Sequence, residues 1–550
     1  MRQLLSRSRC GLRICKDSAD YSERAISRTP ISLLYVDATD GRHFHQFGER
    51  ILSEHQSRIR ANQYPLDSEV LINRRTVVAA LALAITPFKT AMLLSADTGL
   101  TPPHNSTDAS DRFLRVKSVL ELKGTIQVKS ANEGGGKVSQ PTPIESKTNL
   151  EFEEAIRTQR DSLNRFAVQL FSQAESVIDV QKHVTTTTLR DECSTIVRIM
   201  DSQSKSANCL DNPLTASERD LVQGPISTIY LDLLLPNVAV ELGDQWRVKG
   251  EQLARLLNLT KVISGAVKVT LVGSDSKIGQ LEFAGDVEGE VQDIKTIMKL
   301  DGKARVDRAS GLISWIALTL QEKRQVGEIE PGFDITARVR ILREGIESLS
   351  QSIDLTQLQQ KAREDQASEL TRVHSKLGAY QFVADRGWTI YTDSGVDASL
   401  RWIQKNHTFA QCTITNLTDT EPGQQLSIAG YQGDIQKSMG KQLGQMLEAT
   451  ERVTNTGLRM MRVVSIGNLN QVPMQWIHIL VSNDAGRHLS LVFTMNAASD
   501  DRFESQDLQI ADTLEFTLRE LPSFPKESVE QPKVEQNETA GLQKASTIKK

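Results

Sequence analysis

The sequence predicts an α+β protein: a β-rich N-terminal domain with a curved antiparallel sheet, followed by a smaller domain that combines helices with a second antiparallel sheet. Three observations predict it. Between Val262 and Ile341 short apolar runs alternate with tight turns, and in Phe333–Ile341 apolar and polar side chains alternate, the period of a sheet with one dry and one wet face. Residues 347–377 then break the pattern, being rich in Gln, Glu, Lys and Arg and free of Gly and Pro. Beyond them, residues 378–521 hold three strand-like runs, an amphipathic stripe, three more strand-like runs and a closing helix.

A chain of 550 residues exceeds one ordinary domain, and 39% hydrophobic with 24% charged residues is the balance of a globular protein able to bury ordinary cores. Residues 1–75 carry a formal +4 and the rest −8. A mildly acidic body lacks the concentrated basic face that phosphate binding needs, so no nucleic-acid partner is expected.

Residues 1–73 have no strong apolar repeat and read as a poorly structured or misassigned extension. Within it His43 and His45 form a pair too small for a metal site. Residues 74–96 resemble a signal peptide. Arg74 and Arg75 precede an uncharged run from Thr76 to Phe88, too short to cross a bilayer, and Ala96 in Leu94-Ser95-Ala96 marks the expected cleavage point. The Arg-Arg pair is similar to that of a twin-arginine signal, although the residues that usually flank it are missing. The competing reading is a buried helix of a cytoplasmic protein. Export to the periplasm or beyond implies only transient membrane contact, through this segment.

Residues 97–111 read as a flexible lead-in, rich in Pro, Ser, Thr, Asn and Asp, and residues 112–346 as the β-rich domain. Val116–Val128 and Lys147–Arg157 are expected as an antiparallel pair around the Gly134-Gly135-Gly136 turn, Gln159–Val177 as a helix, and Ile226–Leu235 as a buried segment. Asp307–Gly311 fits a hairpin turn. Cys193 and Cys209, 16 residues apart around a polar turn, form a candidate disulfide in an oxidising compartment, and Cys412 reads as a core residue. The strand succession has two readings: a packed β core, or a lipid-holding trough that resembles periplasmic lipoprotein carriers, with Val267, Val269, Leu271, Leu281 and Phe283 facing it.

Residues 347–377 are expected as a solvated helical linker. In the second domain, 378–521, strands are expected at Phe382–Tyr391, Ala398–Ile403 and Phe409–Leu417, then a helix carrying Tyr431, Ile435, Met439, Leu443 and Met446 on one face. Strands at Met460–Ile466, Met474–Val481 and Leu489–Met495 follow, and a helix from Asp507 to Arg519 closes the domain. This order, with Trp388, Trp402, Trp476 and Gly486-Arg487-His488, resembles the PsbP-like fold, an α/β/α sandwich. The resemblance covers about the last quarter of the chain and implies accessory or binding behaviour without a catalytic motif. Residues 522–550 read as a disordered tail.

No catalytic, cofactor-binding or metal-binding residues are assigned. Gly134-Gly135-Gly136-Lys137 lacks the residues of a phosphate loop, and no nucleophile elbow, zinc helix, Cys-x-x-Cys or calcium loop is present. His478 and His488 lie on neighbouring expected strands, and pairing Val481 with His488 would turn them to opposite faces. The leading expectation is therefore an exported, non-catalytic binding or accessory protein with an unknown protein or envelope partner and no cofactor. The alternatives are a lipid or lipoprotein carrier using the β-rich domain, and a hydrolase whose acid residues converge only on folding.

Overall fold

The computed structural model describes residues 99–100, 111–128, 138–158, 163–201, 205–291, 293–327, 331–365, 369–404, 407–499, 503 and 505–518. Arg74, Arg75, Ala96, the Gly134-Gly135-Gly136 turn and the expected tail lie outside them.

The larger sheet is built from β1 (Asp111–Gln127), β2 (Thr142–Thr158), β3 (Arg165–Val180), β4 (His183–Thr188), β5 (Thr195–Met200) and β6 (Lys205–Asn208). It continues with β7 (Gln245–Val248), β8 (Lys261–Ser274), β9 (Ile278–Val291), β10 (Ile294–Asp307), β11 (Leu312–Arg324) and β12 (Gly332–Gly345). Its order is β6-β5-β3-β2-β1-β12-β11-β10-β9-β8-β7, with β4 paired to the far half of β3. The chain thus starts in the middle at β1 and steps outward to the β6 edge. It then crosses to the opposite β7 edge and steps back until β12 pairs with β1.

Residues 209–244 make that crossing over the inner face. They include α1 (Ala216–Val222), started by a Thr215–Glu218 capping box, and a 3-10 helix at Thr228–Leu234. Together with α2 (Gly250–Leu256) they bury Leu221, Ile229, Tyr230, Leu231, Leu234 and Leu253 against inner-face residues of the strands in one core. Val267, Val269 and Leu271 are fully buried there, and Leu281 and Phe283 are 1% and 3% exposed. Of the two readings, the alternative lipid trough is accordingly filled by the protein's own chain. Leu100 belongs to the same core and exchanges both backbone hydrogen bonds with Val240, so the expected flexible lead-in is anchored at this residue.

The outer face is wet over β8 to β12, where Lys303–Glu282 (2.7 Å), Lys261–Glu290 (2.8 Å) and Lys323–Asp334 (3.0 Å) pair across strands. No helix among the described residues is long and apolar enough to cross a membrane.

The helix expected at Gln159–Val177 is strand β3. Residues 165–170 are buried on both faces, which erases the alternation that identifies a strand: Ala167 faces the inner core, whereas Phe166, Val168 and Leu170 face outward. What covers that outer side is the segment expected as a solvated linker. Its helix α3 spans only Leu355–Glu364, and Leu349, Leu355 and Ala362 pack on Phe166, Val168 and Val197.

The second sheet runs β15 (Trp388–Asp393), β16 (Asp397–Gln404), β17 (His407–Asn416), β21 (His488–Asn496), β20 (Val472–Ser482), β19 (Arg459–Leu469), β18 (Leu443–Val453). A small sheet of β13 (Leu370–Ser375), β14 (Tyr380–Asp385) and β22 (Glu515–Phe516) adjoins it. The run expected as one strand at Phe382–Tyr391 is therefore two, in different sheets. Helix α4 (Ile428–Met439) packs Tyr431 and Ile435 on one face of the larger of these two sheets, against Met461, Val463 and Leu480. It does not extend to Met446. Gly440, at φ +50°, ends it, and Leu443 and Met446 belong to the edge strand β18. Helix α5 (Gln506–Asp512) is likewise shorter than expected, because the chain turns at Thr513 to enter β22 and leaves Leu518 92% exposed. On the opposite side Trp388 stacks on Trp402 at 6.1 Å and both meet Phe503 edge-on, so these tryptophans are core residues.

The three sheets belong to one compact unit. The Leu214 carbonyl accepts from the Arg372 N–H (3.1 Å) and the Thr371 hydroxyl (3.2 Å), and Arg386 donates to the Asn208 side chain at 2.8 Å.

Gly302 on β10 sits opposite Phe283 on β9, whose ring lies over it. A Cβ there would overlap that ring and come within 2.8 Å of the Leu318 Cβ. Gly302→Ala is expected to destabilise the protein by about 1–3 kcal/mol through overpacking. Urea unfolding midpoints measure it, and an unchanged midpoint would show that the ring has room to move.

Candidate functional site

Under the crossing segment a cavity of about 40 Å³ remains between the inner face of β1, β2, β3, β5 and β12 and residues 222–229. Apolar side chains such as Leu120, Leu150, Phe152 and Ile341 line most of it, and Gln169 and Arg198 mark a polar end. Its polar end is held by cross-strand pairing. Glu154 and Gln169 are direct partners in β2 and β3, and Ala167 pairs with Arg198 in β5.

From these positions the side chains form a chain of hydrogen bonds. Arg198 donates its Nε to Gln169 Oε1 (2.6 Å) and its Nη2 to the Val222 carbonyl (2.5 Å). Gln169 Nε2 donates to Glu154 Oε1 (2.6 Å), and the Thr228 hydroxyl donates to that same oxygen (2.8 Å). Burial pushes the Arg198 guanidinium down to about 10, against the opposing pull of Glu154. Beside this chain Arg165 grips Asp232 through two hydrogen bonds of 2.6 and 3.0 Å and stacks on the Tyr230 ring. Burial works against the charge of Asp232, but Arg165 prevails and holds the carboxyl below its usual range. Arg343, 7% exposed, has no partner for its Nε, and burial lowers its pKa.

None of these residues is a motif, which is why sequence reasoning passes over them. The available signal is a polar residue inside an apolar strand run: Gln169 and Arg198 each interrupt one, whereas Glu154 and Arg343 lie among other charged residues and give no such sign. That pattern marks a buried polar group that must be satisfied in place.

Cys193 and Cys209 are brought together in a small core with Ile196, Ala207, Leu214 and Val222, and both thiols are free in the structure. Cys209 donates to the Glu192 carbonyl at 3.3 Å. Its hydrogen bond with Cys193, aided by the Arg190 guanidinium, holds the Cys193 thiol below its usual range, while the same contact and burial push Cys209 up. Cys412 is fully buried and its thiol is raised by burial.

The two histidines sit differently from the sequence expectation. Ser482, not Val481, pairs with His488, and His478 pairs with Val492, so both imidazoles point to the same face. Four residues of strand, about 13 Å, still separate them. Among the described residues no cluster of His, Cys, Asp and Glu could hold a metal ion. His488 Nε2 shares a hydrogen bond with the Thr420 hydroxyl at 3.0 Å, and burial lowers its pKa from 6.5.

Two predictions follow from these groups. In an oxidising compartment Cys193 and Cys209 are expected to close a disulfide that adds about 3 kcal/mol for a loop of this length. Labelling the denatured, unreduced mature protein should then mark Cys412 alone, and labelling of Cys193 would refute the bond. For His488, the unfolded chain takes up a proton before the folded one, so stability should fall as pH drops below 6.5. His488→Gln should flatten that part of the slope in urea midpoints taken above and below this pH.

No protein family and no curated protein matches the chain. Among solved structures, cyanobacterial PsbP (CyanoP) from Synechocystis sp. PCC 6803 is similar over 27% of this chain and 92% of its own, at 15% identity and a TM-score of 0.22. The Ran-binding protein Mog1p of Saccharomyces cerevisiae is similar over 27% and 95%, at 8% identity and 0.21. Lipovitellin is similar over 45% of this chain and 26% of its own, at 8% identity and 0.24. The PsbP likeness is thus a weak resemblance of fold.

Proposed function

We propose that this chain is an exported, non-catalytic binding or accessory protein that engages a protein or envelope component through its surface. The observation that carries the reading is the filled inner face. With Val267, Val269, Leu271, Leu281 and Phe283 buried under the chain's own crossing segment, the larger sheet offers no interior for an acyl chain. What it presents instead is an exterior of cross-strand ion pairs, joined to the small β13–β14–β22 sheet and the turn after β14 through the Leu214 and Arg386 hydrogen bonds.

Export is the second part of the proposal. It rests on the Arg74-Arg75 pair and the short apolar run after it, and Leu100 supports the expected cleavage point. At 3% exposure, with the Leu100 N–H 2.8 Å from the Val240 carbonyl, this residue must survive processing, and cleavage after Ala96 spares it.

The test is fractionation of the native protein with N-terminal sequencing, followed by cross-linking and capture from the envelope fraction. The expected result is a first residue between Arg75 and Leu100 and one recurrent cross-linked partner. An intact N-terminus on a cytoplasmic protein would overturn export, and repeated capture without a partner would overturn the binding role.

A further inference from the structure

We propose that β18 is an interface between two copies of this chain, pairing antiparallel with β18 of a second copy about a two-fold axis through Thr450. β18 ends its sheet, bonded to β19 alone among the described strands, and Leu447–Glu451 and Val453 are exposed. The opposite edge of that sheet, β15, is only six residues long and buried or half-buried, and the larger sheet ends in the four-residue strands β6 and β7. Short or covered edges resist pairing with another chain, whereas an open strand of 11 residues offers it a row of unpaired N–H and C=O groups. Two irregularities, between Leu443 and Gln445 and between Met446 and Glu448, confine the regular part of that row to Glu448–Val453.

The backbone limits the register. The Thr454 N–H donates to the Leu458 carbonyl at 2.8 Å, one step beyond the Val453–Arg459 pair. By alternation Arg452, Thr450 and Glu448 turn their backbone groups towards β19, and Val453, Glu451 and Ala449 turn theirs outward. A second copy of the strand has to meet those three, which two-fold axes through Ala449, Thr450 or Glu451 allow. An axis through Glu451 sets that carboxylate against itself, and one through Ala449 sets Leu447 against Glu451. The axis through Thr450 instead sets Val453 against Leu447, Arg452 against Glu448 and Ala449 against Glu451.

Both faces of the strand fit that last register. On the α4 side it covers Leu447 and Val453, which are 53% and 64% exposed in the single chain. On the α5 side it extends a row of charges already in place. Asp512 holds Arg452 through two hydrogen bonds of 2.7 and 2.8 Å, and Glu448 binds Arg462, which also donates to the buried Asp507 at 2.6 Å. Setting Arg452 of one copy beside Glu448 of the other joins Asp512, Arg452, Glu448, Arg462 and Asp507 into one run of alternating sign, and the two-fold axis makes it twice. A pairing of single strands buries less than the roughly 1,200 Å² of a stable interface, so this dimer forms and separates with concentration. It stands whether or not the chain also has an envelope partner.

Sedimentation equilibrium of the native protein from about 1 to about 200 µM, a span suited to a weak interface, should carry the mass from monomer towards dimer. Ala449 is exposed and would lie opposite Glu451, so Ala449→Glu should weaken dimerisation about tenfold through two like-charge pairs, and Ala449→Lys should not weaken it. Thr450→Cys tests the axis itself. In a non-hydrogen-bonded pair its Cα would lie about 4.5 Å from its own counterpart, within disulfide reach. Oxidation should therefore cross-link Thr450→Cys beyond the level of the unaltered protein, whereas Val453→Cys, far from its counterpart, should stay at that level. A protein that remains monomeric throughout would overturn the self-pairing and leave the edge to a strand from another protein. A dimer indifferent to Ala449→Glu, or cross-linked equally by Val453→Cys, would overturn it by placing the contact elsewhere.

Discussion

The structure depends on one crossing. Because the chain builds its larger sheet outward from β1 to β6 and then resumes at the opposite edge with β7, residues 209–244 have to traverse a face of that sheet. Hydrophobic burial makes it the inner face, where Ile229, Tyr230, Leu231 and Leu234 find apolar partners from strands on both sides of β1. Pairing of β12 with β1 then closes the path and locks the crossing segment beneath a continuous set of backbone hydrogen bonds.

Several features follow from that placement. The crossing segment supplies Thr228 and the Val222 carbonyl to the polar network, Val240 to hold Leu100, and Leu214 to join β13 of the second half. The cysteine pair lies at the same junction, with Cys209 where the crossing begins and Leu214 in its small core. One stretch of irregular chain thus connects the N-terminal anchor, the cavity, the thiols and the joint between sheets.

The outer face is divided according to what covers it. Over β8 to β12 it is left to water and carries Lys–Glu and Lys–Asp pairs, individually worth little, among exposed apolar side chains such as Ile263, Ile297 and Leu342. Over β2, β3 and β5 it is apolar and roofed by residues 349–362. The polar composition of that roof conceals its role, since a few spaced apolar contacts, Leu349, Leu355 and Ala362 with the half-buried Ile353 and Leu358, dock it among polar side chains.

By itself the sequence determined what depends on local period and local composition. The alternation in Phe333–Ile341, the turn at Asp307–Gly311 and the strand around Cys412 require only neighbours along the chain, and each forms where the pattern places it. Tertiary structure decided the segments whose environment comes from afar. Residues 165–170 are a strand because β2 and β5 flank them and two separate cores bury their faces, and Leu443–Val453 is a strand because Gly440 stops the helix and β19 offers an edge. The polar network was equally out of reach. Glu154, Gln169, Arg198 and Thr228 come from three strands and the crossing segment, and only strand register and the crossing set them within hydrogen-bond distance.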